Sequence, residues 1–202
     1  MRRSNHHATL EGMADIETPP TEDPRPDSLK KADSLVVVFT GSGKGKTSAA
    51  MGTVLRAVGH GKSVTVLQFV KSGEWKTGEQ LGCEKLGVPF EPLGSGFTWD
   101  SENIEHDAVL ARQAWERAEK VIGSGDFDVV VLDELTYLCT WKWIDTDRVV
   151  AAITNRPKHV NVIITGRDAP DALISCADTA SRIEVLHHAY DRGVGALRGI
   201  DY

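Results

Sequence analysis

The chain has 202 residues, of which 41% are hydrophobic, and a formal net charge of −6 at pH 7. This length and apolar content predict one globular domain with a core of its own. The acidic balance argues against a broad basic surface of the kind that binds nucleic acid. No apolar run approaches the ~20 residues of a membrane span, and no signal-type apolar segment follows Arg2 and Arg3. We therefore expect a cytoplasmic protein with no membrane and no nucleic-acid partner.

Residues 1 to 33 are rich in proline and in polar and charged residues, most densely between Thr18 and Pro26. Such a segment buries too little apolar surface to offset the entropy lost on ordering. We therefore predict a flexible N-terminal tail over residues 1–33 and a single folded domain over residues 34–202.

From Leu35 onward, short apolar β-branched runs alternate with segments of helix length. We expect strands at Leu35–Thr40, Ser63–Val70, Val88–Leu93, Phe127–Asp133, Val160–Thr165 and Arg182–Leu186. We expect helices at Lys46–Val58, Glu102–Ile122, Asp145–Asn155 and Pro170–Ala177. This alternation predicts an α/β fold with a mostly parallel central sheet and helices on both faces.

The segment from Thr40 to Thr47, with the sequence TGSGKGKT, stands between the first predicted strand and the first predicted helix. Its glycines let backbone N–H groups turn inward around an anion, and the helix N-terminus adds partial positive charge. Lys46 supplies a full charge. The general phosphate-loop pattern has Gly where Thr40 stands, but Gly41 and Gly43 keep the loop permissive. The segment predicts a phosphate loop in a P-loop NTPase-like domain.

The apolar run before Asp133 and Glu134 predicts a buried strand that ends in two carboxylates. In open α/β sheets, ligands bind at this carboxyl edge. A carboxylate there holds Mg²⁺ on a bound nucleotide, and the hydroxyl of Thr47 is a second candidate ligand. The two motifs predict an Mg²⁺-nucleotide site, which a small-molecule kinase or an ATPase would also contain.

Five separated segments carry a resemblance that goes beyond these motifs. They are the run from Val36 to Glu79 and the stretches GSGFTWD, FDVVVLDELTY, VNVIITGRDAP and HHAYDRGVGALRGIDY. In this order, from about Leu35 to Tyr202, they resemble the P-loop family of ATP:cob(I)alamin (corrinoid) adenosyltransferases, whose loop also carries Thr in place of the first Gly. The resemblance implies transfer of the 5′-deoxyadenosyl group of ATP to cob(I)alamin or a related reduced corrinoid. Triphosphate would leave, in adenosylcobalamin biosynthesis or salvage.

The resemblance also implies which residues contact the two substrates. ATP binding is implied for Gly41, Ser42, Gly43, Lys44, Gly45, Lys46, Thr47, Ser48, Gln68 and Glu79. Corrinoid binding is implied for Arg56, Phe97, Trp99 and Arg167. Phe97 and Trp99 are also the catalytic candidates, because the matching aromatic residues exclude the lower axial ligand and leave four-coordinate cobalt(II), which is easier to reduce.

Mg²⁺ is implied as the cofactor, with Thr47 and Glu134 as its ligands. Asp133 is implied as a residue that contacts these ligands without binding the metal itself. The resemblance further implies a homodimer, a reduced flavoprotein as electron donor, and an enzyme of the cob(I)yrinic acid a,c-diamide adenosyltransferase type. Family members often begin with a charged helix that covers the corrinoid site, whereas residues 1–33 here are interrupted by proline and lack the periodicity of such a helix. A kinase or ATPase remains the alternative, as does a carrier that binds ATP and corrinoid without joining them.

Overall fold

The computed structural model describes residues 21–23, 26, 28–71, 76–94 and 104–202. The chain divides into two compact units, Met1–Ala32 and Asp33–Tyr202. In the second unit the strands are β1 Val36–Thr40, β2 Val64–Gln68, β3 Phe90–Pro92, β4 Val129–Asp133, β5 Asn161–Thr165 and β6 Thr179–Arg182. The helices are α1 Lys46–Gly59, α2 Gly78–Lys85, α3 Ile104–Ser124, α4 Leu135–Thr140, α5 Thr146–Thr154 and α6 Asp171–Cys176, followed by a 3₁₀ turn at Ala189–Arg192.

The strands form one sheet in the order β3-β2-β4-β5-β1-β6, and all neighbouring pairs are parallel. The predicted α/β fold is therefore confirmed. Because every strand runs the same way, the carboxyl ends of β1, β4 and β5 meet at one edge. No helix in the described ranges combines the length and apolar character of a membrane span.

Both faces of the central strands β2 and β4 are buried, and the alternation of side chains along β4 shows why. Val129 and Val131 point into an apolar cluster with α1 and α2, whereas Val130 and Leu132 point into a larger cluster with α3, α4, α5 and α6. Successive residues of a strand face opposite sides, so a run of apolar residues suits a strand covered by helices on both faces.

The sheet's two edge strands differ from the prediction. The last strand was expected at Arg182–Leu186 but lies at Thr179–Arg182, all exposed. The apolar Ile183 does not continue the strand; it packs against the loop after β1 through two backbone hydrogen bonds. At the other edge, the Val88 N–H closes α2 by donating to the Cys83 carbonyl, so β3 begins only at Phe90.

Two short helices, α2 and α4, were not predicted. Helix α2 contains Gly78 and Gly82, which weaken a helical pattern, but the Thr77 hydroxyl caps it by accepting from the Gln80 N–H at 3.2 Å. Helix α4 follows the end of β4 with no intervening loop. The predicted start of α3 at Glu102 lies outside the described residues.

Trp115 of α3 is fully buried in the larger cluster. We expect Trp115→Ala to lower the free energy of unfolding by about 3–5 kcal/mol, because it removes a large apolar side chain and leaves a cavity. Leu55→Ala, at a side chain of α1 that is 59% exposed, should change it by less than about 0.5 kcal/mol. Urea unfolding followed by circular dichroism measures both, and similar losses would contradict this description of the core.

Candidate nucleotide-binding site

The loop between β1 and α1 lies at the carboxyl edge of the sheet, as the sequence pattern predicted. β1 ends at Thr40 and α1 begins at Lys46. Gly41 and Gly45 have φ angles of +100° and +111°, which residues with a Cβ rarely adopt. The loop therefore turns sharply into the amino end of α1, and the amino end of a helix is suited to bind an anion.

The loop is also held by the segment that follows β6. The Ile183 N–H donates to the Thr40 carbonyl at 2.8 Å, and the Gly43 N–H donates to the Ile183 carbonyl at 2.8 Å. A Cβ on Gly41 would lie 2.3 Å from the Ile183 oxygen, and one on Gly43 would lie 2.8 Å from the Glu184 oxygen. Close backbone packing thus requires glycine here, in addition to the backbone angle at Gly41.

Thr40, which replaces the usual glycine, has a structural role that the motif alone did not reveal. Its side chain is buried, and its hydroxyl accepts a hydrogen bond from the Ala169 N–H at 3.1 Å. The residue therefore ties the start of the phosphate loop to the loop that follows β5.

Lys46 folds back over the phosphate loop. Its ammonium group donates to the carbonyls of Gly41 at 2.9 Å and Gly43 at 2.6 Å. Burial and then the nearby Arg167 guanidinium lower the pKa of Lys46. Arg167, expected on sequence grounds at the corrinoid site, is thus placed within electrostatic reach of the phosphate-loop lysine.

Asp133 connects the end of β4 to three neighbouring elements. Its carboxylate is buried and accepts hydrogen bonds from Thr47 at 2.9 Å, Thr165 at 2.6 Å and Gln68 at 2.8 Å. Gln68 was expected among the ATP contacts, and the structure shows its buried side-chain amide donating to Asp133. Thr165 was missed in the sequence, where only its place at the end of a strand next to β4 could have indicated it.

Glu134 is strained and has an unsatisfied carboxylate oxygen. Its φ is 64°, its N–H donates to the Thr165 hydroxyl at 2.9 Å, and its buried Oε2 has no hydrogen-bond partner among the described residues. Burial and then the Asp133 carboxylate raise the pKa of Glu134 to about 7. A buried carboxylate oxygen without a partner suits Mg²⁺, and the adjacent residue, Asp133, holds the Thr47 hydroxyl, which is a second candidate ligand.

The other predicted ATP contacts, Ser48 and Glu79, line a cavity of about 430 Å³ between α1 and α2. Ile200 and Tyr202, at the end of the chain, form another wall of this cavity. Glu79 also raises the pKa of Glu134 electrostatically. Glu79, which lines the cavity, is thus within electrostatic reach of Glu134 at the end of β4.

The structure does not bring Arg56 to this site. Arg56 lines a pocket with Leu35 and Asn161, at the amino ends of β1 and β5. It lies ten positions after Lys46 on α1, which corresponds to about 15 Å along the helix axis. It lies at the opposite edge of the sheet, so its position does not support corrinoid binding beside the phosphate loop. Phe97 and Trp99 lie outside the described residues.

The parallel sheet, the glycine-rich loop and the carboxylates at the end of β4 define a P-loop nucleotide-binding domain. The model of the family described as ATP:corrinoid adenosyltransferase BtuR/CobO/CobP matches residues 32–202. The chain therefore belongs to this family, which confirms the resemblance found in the five sequence segments.

Individual relatives agree with the family match. The chain is 46% identical over 168 residues to a corrinoid adenosyltransferase of Escherichia coli (strain K12), covering 83% of this chain and 85% of the relative. It is 43% identical over 180 residues to corrinoid adenosyltransferase CobA of Salmonella typhimurium (strain LT2), covering 89% and 91%. Among solved structures, the flagellar accessory protein FlaH of Methanocaldococcus jannaschii is similar with a TM-score of 0.47 and 13% identity, covering 75% of this chain and 71% of that chain. A similarity at that level supports no conclusion about function.

We expect Gly41→Ala to weaken ATP binding at least about tenfold, because the new Cβ would collide with the Ile183 carbonyl and distort the loop. The matched control is Gly52→Ala in α1, where a Cβ meets nothing within 4 Å, so ATP binding should be unchanged. Isothermal titration calorimetry with ATP measures both variants. Retention of wild-type affinity by Gly41→Ala would show that the loop tolerates the side chain.

The raised pKa of Glu134 predicts a pH dependence of stability. Between the ordinary value of 4.5 and about 7, the folded protein binds a proton that the unfolded chain releases. The unfolding free energy of the protein in EDTA should therefore fall as pH rises through this window, by up to about 3 kcal/mol relative to Glu134→Gln. Urea unfolding of both proteins from pH 5 to 7.5 measures the difference. A difference that is constant with pH would contradict the prediction.

Proposed function

We propose that the protein transfers the 5′-deoxyadenosyl group of ATP to the cobalt of a reduced corrinoid and releases triphosphate. The observation that supports this function best is the match to an ATP:corrinoid adenosyltransferase family over residues 32–202. Within that match, the candidate site residues come together at the carboxyl edge of the sheet: Lys46, Thr47, Asp133 and Glu134. The relatives named corrinoid adenosyltransferase support the same reaction.

In the proposed reaction, the loop N–H groups and Lys46 hold the triphosphate. Cobalt(I) supplies both electrons of the new cobalt–carbon bond, while the bond between C5′ and oxygen breaks and its electron pair leaves with the triphosphate. Cobalt(I) is a strong nucleophile, so the reaction requires alignment and stabilisation of the leaving group more than a general base. Donors fixed by the backbone suit this task, since they need no rearrangement as charge develops.

Thr47 and Glu134 are the residues that would hold Mg²⁺. The buried, unpartnered Glu134 Oε2 supports this assignment, as does the hydrogen bond that orients the Thr47 hydroxyl toward Asp133. A bound Mg²⁺ would neutralise part of the triphosphate charge. Asp133, fixed by Gln68 and Thr165, would keep the Thr47 side chain in place.

The aromatic residues Phe97 and Trp99 stay in this proposal on the sequence resemblance alone, as the pair that excludes the axial ligand of cobalt(II). Arg167 is proposed to contact the negative groups of either substrate, because it is within electrostatic reach of Lys46. We further propose that the enzyme is a homodimer that accepts electrons from a reduced flavoprotein. Its substrates would include cob(I)yrinic acid a,c-diamide as well as cob(I)alamin.

An anaerobic assay with Mg·ATP and chemically reduced corrinoid tests the proposal. We expect a light-sensitive cobalt–carbon product and one equivalent of inorganic triphosphate. Lys46→Ala should lower the rate by at least about a hundredfold, because the leaving group loses a positioned charge. Lys120→Ala, an exposed position on α3, is the matched control and should keep the wild-type rate. ADP and phosphate as products would instead identify a kinase or an ATPase, and binding without turnover would identify a carrier.

A further inference from the structure

The last residues of the chain form a turn fixed by its own hydrogen bonds. The Asp201 N–H donates to the Leu197 carbonyl at 2.7 Å, and the Gly199 N–H donates to the Tyr202 carbonyl at 2.8 Å. One carboxylate oxygen of Asp201 accepts from the Leu197 N–H at 2.8 Å. We call residues 197–202 the C-terminal turn. Its geometry holds the Asp201 side chain in one direction.

The second carboxylate oxygen of Asp201 forms an ion pair with Lys44 of the phosphate loop, 157 residues away in the sequence. The Leu197 N–H and then Lys44 lower the pKa of Asp201, so the carboxylate is charged at neutral pH. The carboxylate pairs with the Lys44 ammonium group, as an oxygen of a bound phosphate would. The other loop lysine, Lys46, is held by loop carbonyls and has no carboxylate within ion-pair distance in the described part of the chain.

The C-terminal turn lies against the elements around the loop. A Cβ on Gly78, the first residue of α2, would be 3.2 Å from the Tyr202 carbonyl carbon. Ile200 and Tyr202 line the cavity that also includes Ser48 and Glu79. These contacts keep Asp201 beside Lys44, so its effective concentration at the phosphate loop is high.

We propose that Asp201 is a tethered competitor of triphosphate for Lys44. Triphosphate binding displaces the carboxylate, and the carboxylate returns to Lys44 as the product leaves. Asp201 therefore weakens the retention of triphosphate and accelerates its release. The ion pair is exposed, with 53% of the Lys44 side chain accessible, so its effect on affinity is small, roughly two- to fivefold. This inference rests on the proposed function only in that the loop binds triphosphate.

Asp201→Asn tests the inference, because asparagine keeps an oxygen for the Leu197 N–H and removes only the charge. Inorganic triphosphate is titrated into the full-length protein at low salt by calorimetry, and its dissociation rate is measured by stopped flow. We expect the variant to bind triphosphate roughly two- to fivefold more tightly and to release it more slowly. Asp191→Asn, at an exposed residue of the neighbouring 3₁₀ turn, should leave both values unchanged.

The same substitution in a Lys44→Ala background separates competition from general charge repulsion. With Lys44 absent, Asp201→Asn should leave the affinity unchanged. The inference would be overturned if Asp201→Asn raised the affinity for triphosphate equally in both backgrounds, or left it unchanged in the wild-type background. Weaker binding by Asp201→Asn would also overturn it, by showing that Asp201 positions Lys44 for phosphate. A wild-type protein that does not bind triphosphate would instead contradict the proposed function. Thermal unfolding verifies that each variant is folded.

Discussion

The buried Asp133 carboxylate accepts hydrogen bonds from α1, β2 and β5 at the point where β4 ends. A carboxylate is costly to bury unless its oxygens are satisfied. Here Oδ1 accepts from both Thr47 and Thr165, and Oδ2 accepts from Gln68. The three bonds therefore fix the relative positions of Thr47, Gln68 and Thr165. Thr47 lies in the first turn of α1, directly after the phosphate loop, so the same interaction sets where the loop lies relative to the carboxyl edge of the sheet.

Close to Asp133, the site contains features that are locally unfavourable and that the rest of the fold tolerates. Glu134 has a left-handed backbone and a buried oxygen without a partner among the described residues, and Gly41 has no space for a side chain. Such features persist only where surrounding packing holds them, and they concentrate at functional sites. Lys44 and Lys46 are each engaged by protein groups. In the proposed reaction, a bound triphosphate would exchange these interactions for its own, which would limit how tightly the product is held.

Much of the fold followed from local patterns. The buried strands β1, β4 and β5 are β-branched runs, and α1 begins directly after a glycine-rich loop. The bounds of all four elements were therefore predicted within a residue or two. The edge strands were less predictable. Ile183 continues an apolar run that favours a strand, yet its backbone hydrogen bonds go to the phosphate loop. Helix α2 was missed because its glycines obscure the pattern, although the Thr77 cap was visible in the sequence.

The sequence by itself determined the phosphate loop, the paired carboxylates and the family, because these depend on residues that are close together or on ordered segments. Only the tertiary structure decided that Gln68 and Thr165 donate hydrogen bonds to Asp133. It also decided that Arg56 lies at the amino ends of the strands and that Asp201 pairs with Lys44. The physical reason is that parallel strands need long crossover connections, which bring residues distant in sequence to one edge. Side-chain spacing along the chain carries no information about which of them meet.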